Sequence, residues 1–149
     1  MLFRSSEQVR LRQEGKRIVK FDDIPWDQSR QALIKVYSNV WLEPGLAAPG
    51  WNVFMQRIDK HSGRHIHQGG LAIYIVDGKG YSIVDGVRYE WQAGDLLILP
   101  IKPGGCDHQH FNENPDIPSH WIAIIFVPWR EYVPDQSKQV ETHPEWKEE

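Results

Sequence analysis

His65 and His67 are the first residues in this chain whose types and spacing could do chemistry. They stand two positions apart in Gly63-Arg64-His65-Ile66-His67-Gln68-Gly69-Gly70, just before the β-branched and aromatic run Leu71 to Val76. In an extended chain residues i and i+2 point to one face. The two imidazoles can therefore reach a common point, as two ligands of one metal must. Alone, a His-x-His pair is weak evidence, because two unrelated surface or core histidines give the same string. A second cluster strengthens it: Cys106-Asp107-His108-Gln109-His110-Phe111-Asn112. Imidazole suits Fe, Zn, Cu and Ni, with geometry and availability selecting among them.

The elements that must position these rings read as strands. Trp51 to Ile58, Leu71 to Val76, Tyr81 to Val84, Val87 to Trp91, Leu96 to Leu99 and Trp121 to Val127 are short β-rich runs. Between them lie the turn dipeptides Asp77-Gly78 and Asp85-Gly86, the corner Gly94-Asp95, and the stops Pro100 and Pro128. Many short strands punctuated by turns argue for an all-β sandwich or barrel. Ahead of them, residues 5–15 can form a short helix capped by Ser5 or Ser6 and ended by Gly15. Arg17 to Phe21 alternates like an edge strand, and Ala32, Ile34 and Val36 alternate in the segment that Pro25-Trp26-Asp27 opens. Three regions result: an N-terminal helix and strand arm over residues 1–50, a core over 51–130, and a polar tail over 131–149 read as a surface arm.

Bulk properties exclude several classes. At 149 residues the chain is most simply one domain, and 40% apolar with 25% charged residues suits a globular protein. A net charge of -3 without a dense Lys/Arg run argues against a nucleic-acid partner. The longest apolar run, Trp121 to Val127, is too short for a membrane span. No signal peptide is read after Met1-Leu2-Phe3-Arg4, and one Cys cannot form an intrachain disulfide, so a cytoplasmic location is expected. Seven Trp residues suit large core positions or an aromatic-walled cavity.

From about Trp51 to Trp129 the chain resembles the cupins, a jelly-roll barrel superfamily with two short motifs. The first motif is His65-x-His67 with a strand closing at Gly78; the second is Gly94, Pro100, His108 and Asn112. The resemblance implies a single-domain cupin barrel with His65, His67 and His108 as metal ligands. Most cupins add a glutamate four residues after the second histidine, and Leu71 stands there. Loss of that carboxylate is shared with the gentisate 1,2-dioxygenase-like branch of ring-cleaving enzymes. That branch is also similar in Val76-Asp77-Gly78-Lys79-Gly80, in Val84-Asp85-Gly86, in Gly94-Asp95-Leu96 and in the His108-x-His110 pair. The second motif departs by the extra residues Ile101 to Gly105. Ile73 replaces the family's substrate-pairing arginine and Ala123 an aspartate, so the gentisate-type anion clamp is missing.

Three neutral histidines leave a divalent ion at full charge with open positions, a site favouring an anionic bidentate ligand such as a catecholate or enolised diketone. The resemblance favours Fe(II), with Zn, Mn or Ni as other candidates. The expected activity is a dioxygenase cleaving a small aromatic or chelating carbonyl compound with O2, of the kind used in aromatic compound catabolism. The rivals are a metal-dependent isomerase, lyase or hydrolase on the same site, and a non-catalytic small-molecule-binding module. His110 reads as a group that orients a bound imidazole, as an alternate ligand, or as an uncoordinated pocket histidine. Gln68 can donate to substrate or O2, or be a loop amide. Inward parity from His67 reaches Leu71, Ile73 and Ile75, unless a bulge at Gly69-Gly70 turns Tyr74 inward. Arg57 and Arg64 could replace the clamp or be surface charges. Cys106 reads as a small buried residue. A homodimer is expected, because the N-terminal strand has no evident partner within the barrel.

Overall fold

The computed structural model describes residues 6–39, 45–48, 50–127 and 137–147. Helix α1 (Ser6–Glu14) ends where the Gly15 N–H closes on the Leu11 carbonyl. The strands follow as β1 (Asp27–Gln28), β2 (Leu33–Ser38), β3 (Trp51–Ile58), β4 (Arg64–His67), β5 (Leu71–Asp77) and β6 (Lys79–Val84). Then come β7 (Val87–Gln92), β8 (Leu96–Leu99), β9 (Cys106–Asn112), β10 (Ser119–Phe126) and β11 (Lys138–Glu141). They form two antiparallel sheets, in the orders β1-β2-β3-β10-β5-β8 and β11-β4-β9-β6-β7. This is an all-β jelly roll: the strand pattern implied an all-β sandwich or barrel, and the resemblance to cupins implied the jelly roll.

Alternation explains why the two sheets face each other. Along β5 the buried residues are Leu71, Ile73 and Ile75, and along β10 they are Trp121, Ala123 and Ile125. Trp121 pairs with Ile75 and Ala123 with Ile73, so one continuous apolar face points inward. From the second sheet, Val84, Trp91 and Cys106 complete the core. Burying each large aliphatic side chain stabilises the barrel by about 1.5–3 kcal/mol.

Four expectations are corrected. Arg17 to Lys20 form no strand, and Phe21–Asp23 is a 3-10 turn. The segment is held through side chains instead of ladder bonds: the Lys35 ammonium donates to the Phe21 carbonyl at 3.0 Å and sits 3.8 Å from the Phe21 ring centroid. Second, Asp77-Gly78 is no hairpin. β5 pairs with β8 and β10 while β6 pairs with β7 and β9, so the chain crosses from one sheet to the other there. Asp85-Gly86 is the true two-residue hairpin turn, joining Val84 to its partner Val87. Third, part of the polar tail is β11, which pairs with β4 and sets Gln139 opposite His65. Fourth, β1 and β2 pair within the chain, and β2 also pairs with β3. The N-terminal strands thus have partners within the chain, which removes the reason given for expecting a homodimer.

Between β4 and β5 the backbone of Gly69 lies directly against the Leu99 and Pro100 carbonyls, and Gly70 N–H bonds Leu99 O at 2.8 Å. A side chain at Gly69 would collide with main chain that cannot rotate away. Gly69→Ala is expected to destabilise the protein by about 1–3 kcal/mol, read from the shift in its chemical denaturation midpoint.

Candidate metal centre

β4 and β9 build the site between them. Their register places His65 opposite His108 and His67 opposite Cys106. Directly opposed residues of an antiparallel pair share a face, and that face is also the one reached by i and i+2. His65, His67 and His108 therefore converge. Their ring centroids lie 4.2 to 4.9 Å apart, and one ligating atom from each falls within 4.8 Å of the others. Among the described residues this is the cluster of metal-ligating side chains, and it contains no carboxylate. Leu71, where a glutamate was the alternative, is buried and lines the adjoining cavity.

Hydrogen bonds prepare two of these rings as ligands. His67 Nδ1 lies 2.6 Å from the Gln68 carbonyl, and His108 Nδ1 lies 3.0 Å from the Cys106 carbonyl. A carbonyl only accepts, so each Nδ1 carries the proton and each Nε2 keeps a lone pair. His65 Nδ1 is buried and has no hydrogen-bond partner among the described residues. Burial, reinforced by the neighbouring His108, His67 and His110, holds His65 neutral, with its pKa lowered to about 2. Burial and then His67 lower His108 to about 4. Neutral imidazoles in a dry cluster repel protons and leave lone pairs for a cation, so the residues fit a divalent metal.

A cavity of about 220 Å³ opens beside the cluster. Its wall includes Phe54, Gln56, Leu71, Ile73, His110 and Trp121, and none of its described lining residues is Asp, Glu, Lys or Arg. The volume lies below the roughly 300–1,000 Å³ of drug-sized pockets, which suits a small molecule. His110 is buried, and its Nδ1 lies 2.7 Å from Ser82 Oγ.

Other residues singled out from sequence lie elsewhere. Arg57 pairs with Asp59 at 2.6 Å, and Arg64 forms two bonds to Asp107 across β4 and β9. Neither lines the cavity, because each lies on the outward parity of its strand and meets a carboxylate there. Gln68 is turned away as well: its amide donates to the Lys102 carbonyl and accepts from the Lys102 N–H, which anchors the loop after β8. Tyr74 is exposed, since Leu71 and Ile73 keep the inward parity and no bulge reverses it. The Cys106 thiol is buried, donates to the Pro100 carbonyl, and has its pKa raised by burial. Sequence reasoning missed Gln56, Phe54 and Trp121 as cavity wall. Strand alternation carried that signal, but the opposing sheet was needed to show what those side chains face.

Residues 54–125 match the family profile described as "Cupin domain". No curated protein matches the chain. Among solved structures, a salicylate 1,2-dioxygenase mutant from Pseudoaminobacter salicylatoxidans is similar at 23% identity and a TM-score of 0.52, over 68% of this chain and 29% of its own. The chain thus spans about three-tenths of that enzyme. A Cupin 2 conserved barrel domain protein from Salinispora arenicola is 21% identical with a TM-score of 0.58, covering 74% of this chain and 87% of its own. The polyketide cyclase RemF from Streptomyces resistomycificus is 13% identical with a TM-score of 0.63, covering 87% and 88%. At these identities the likeness establishes fold.

Unfolded histidines titrate near about 6.5, far above the buried pair. Between roughly pH 6.5 and 4 the unfolded chain therefore binds more protons than the native metal-free protein, and stability must fall as pH falls. The urea midpoint of metal-free protein is expected to be highest above about pH 6.5 and to drop toward pH 4. Replacing His108 by Leu should flatten that drop, as followed by tryptophan fluorescence.

Proposed function

We propose that this chain, which carries a cupin domain, is a metal-dependent enzyme that binds a small oxygen chelate at His65, His67 and His108, and most specifically a non-haem Fe(II) dioxygenase. The observation that carries the reading is a cluster of three neutral histidines, without a carboxylate, opening on a wall without formal charge. A divalent ion held there keeps its full positive charge. Its natural ligand is an anionic bidentate oxygen compound, because none of the three ligands or the described lining residues is a carboxylate. Iron(II) in that site would supply Lewis acidity and the ability to accept both a chelate and O2.

The chain's residues would do the rest. His67 and His108 present Nε2 to the ion, with Nδ1 held by backbone carbonyls. Phe54, Leu71, Ile73 and Trp121 exclude water from the chelate and strengthen each electrostatic contact inside. With Ile73 where an anion-pairing arginine was expected, a pendant carboxylate meets no Lys or Arg among the described lining residues. Catechols and enolised diketones fit better than hydroxybenzoates such as gentisate or salicylate. In this reading the protein is cytoplasmic and serves breakdown of aromatic or diketone compounds.

A second reading is an O2-independent lyase, isomerase or cyclase on the same ligands, favoured by the similarity in length and fold to a polyketide cyclase. Protein purified without chelators is expected to hold one metal per chain, and His108→Ala to lose it, as read by elemental analysis. Iron-loaded protein should consume O2 with catechols or diketones and bind gentisate weakly. Turnover that proceeds unchanged under anaerobic conditions would discard the dioxygenase in favour of the second reading.

A further inference from the structure

We infer that Ser82, backed by Trp91, locks His110 in the tautomer that carries its proton on Nε2, so that His110 offers the cavity a hydrogen-bond donor and is not a fourth metal ligand. Ser82 and His110 are Cα partners across β6 and β9 and so share the inward face. Ser82 Oγ lies 2.7 Å from His110 Nδ1 and 2.9 Å from Trp91 Nε1. An indole nitrogen only donates, so Ser82 Oγ accepts from Trp91. The hydroxyl has one proton of its own, and Ser82 is fully buried.

Two arrangements remain. If His110 Nδ1 were protonated, Ser82 would accept twice and its proton would be stranded, since His110 Nδ1 is its one acceptor among the described residues. If the Ser82 hydroxyl donates to Nδ1, all three groups are satisfied. A stranded buried donor biases such an equilibrium by about fivefold or more. The second arrangement therefore dominates, and the neutral ring keeps its single proton on Nε2. His108, two residues earlier on the same strand, is held in the opposite tautomer by the Cys106 carbonyl. Two inward histidines of β9 thus present different chemistry to one cavity: a lone pair at His108 and an N–H at His110.

The surroundings hold this arrangement in place. His110 N–H bonds Ser62 Oγ at 2.9 Å, and Ser62 N–H bonds the His110 carbonyl at 2.8 Å. The ring stands edge-on to Trp121 with centroids 5.0 Å apart, and it lines the cavity 5.5 Å from His108. Trp91 reaches Ser82 because its indole lies over Gly80, where a side chain would occupy the same space. Ser82 and Trp91 are positioning residues, and His110 is the group that meets an oxygen of the bound chelate. That last role rests on the metal centre proposed above; the tautomer does not.

The test is long-range proton–nitrogen NMR on protein carrying isotope-labelled histidine, metal-free and cadmium-loaded. His110 is expected to show a pyridine-like Nδ1 and a pyrrole-like Nε2 in both states, while cadmium couples to Nε2 of His67 and His108 and not to His110. A protonated Nδ1 or cadmium coupling at His110 would overturn the inference. If cadmium couples to no histidine, the metal reading fails, and the metal-free spectrum still decides the tautomer. Ser82→Ala should release His110 into a mixture of tautomers; an unchanged tautomer would remove Ser82 from its role. With catechol as probe on iron-loaded protein, His110→Leu should weaken binding about tenfold. His110→Gln, which keeps a donor, should recover most of it with metal content equal in both; equal loss in the two variants would overturn the donor role.

Discussion

The pairing of β4 with β9 in one register is the constraint on which the rest depends. Sheet side chains repeat every two residues, so a slip of one position would send His65 and His67 outward and bring Arg64 and Ile66 in. The register His65 to His108 is held on both faces of the ladder. Outside, the Arg64 guanidinium grips Asp107 through two bonds, joining the residues that flank the ligands. Inside, Cys106 sits opposite His67 and its thiol reaches the Pro100 carbonyl. Beyond the end of β4, Ser62 continues the contact by bonding both the N–H and the carbonyl of His110. The arginine that sequence reasoning considered for substrate instead keeps the ligands in step.

Burial sets the chemistry that register makes possible. His65 and His108 give up hydration, and neighbouring histidines lower their pKa values further. A hydrophobic core would be more stable without them, because buried imidazoles with unused lone pairs contribute little and desolvate at a cost. The local arrangement is unfavourable until something positive occupies it, and it sits on two directly paired strands. Fixed ligands in a dry site need no reorganisation when a cation enters.

The alternation of β5, β9 and β10 was legible from sequence because burial on one face writes a period of two into the residue types, and the His-x-His pair inherits that period. The all-β class follows from the same signal, whereas the jelly roll and the choice of His108 as third partner came from the resemblance to cupins. Asp77-Gly78 misled because a turn dipeptide marks a change of direction without saying which sheet the chain joins next. β11 was hidden because Lys138-Gln139-Val140-Glu141 lies at a sheet edge, where polar residues are tolerated on both faces. The outward roles of Arg57, Arg64 and Gln68 depend on Asp59, Asp107 and the Lys102 backbone. The last two partners are far away in sequence, so composition and spacing could not bring them together.

Two histidines of one strand with opposite tautomers show why residue type alone underdetermines a site. His108 and His110 share a face, a strand and deep burial, yet one meets a carbonyl and the other a hydroxyl. A carbonyl can only accept, which leaves the far nitrogen bare. A hydroxyl can go either way, and its direction here follows from Trp91, a residue two strands from His108. An uncharged wall then gives a single N–H more influence over an incoming ligand than it would have beside an arginine, because no larger field competes with it. Orientation in such a cavity depends on which way each of its neutral polar groups is made to point.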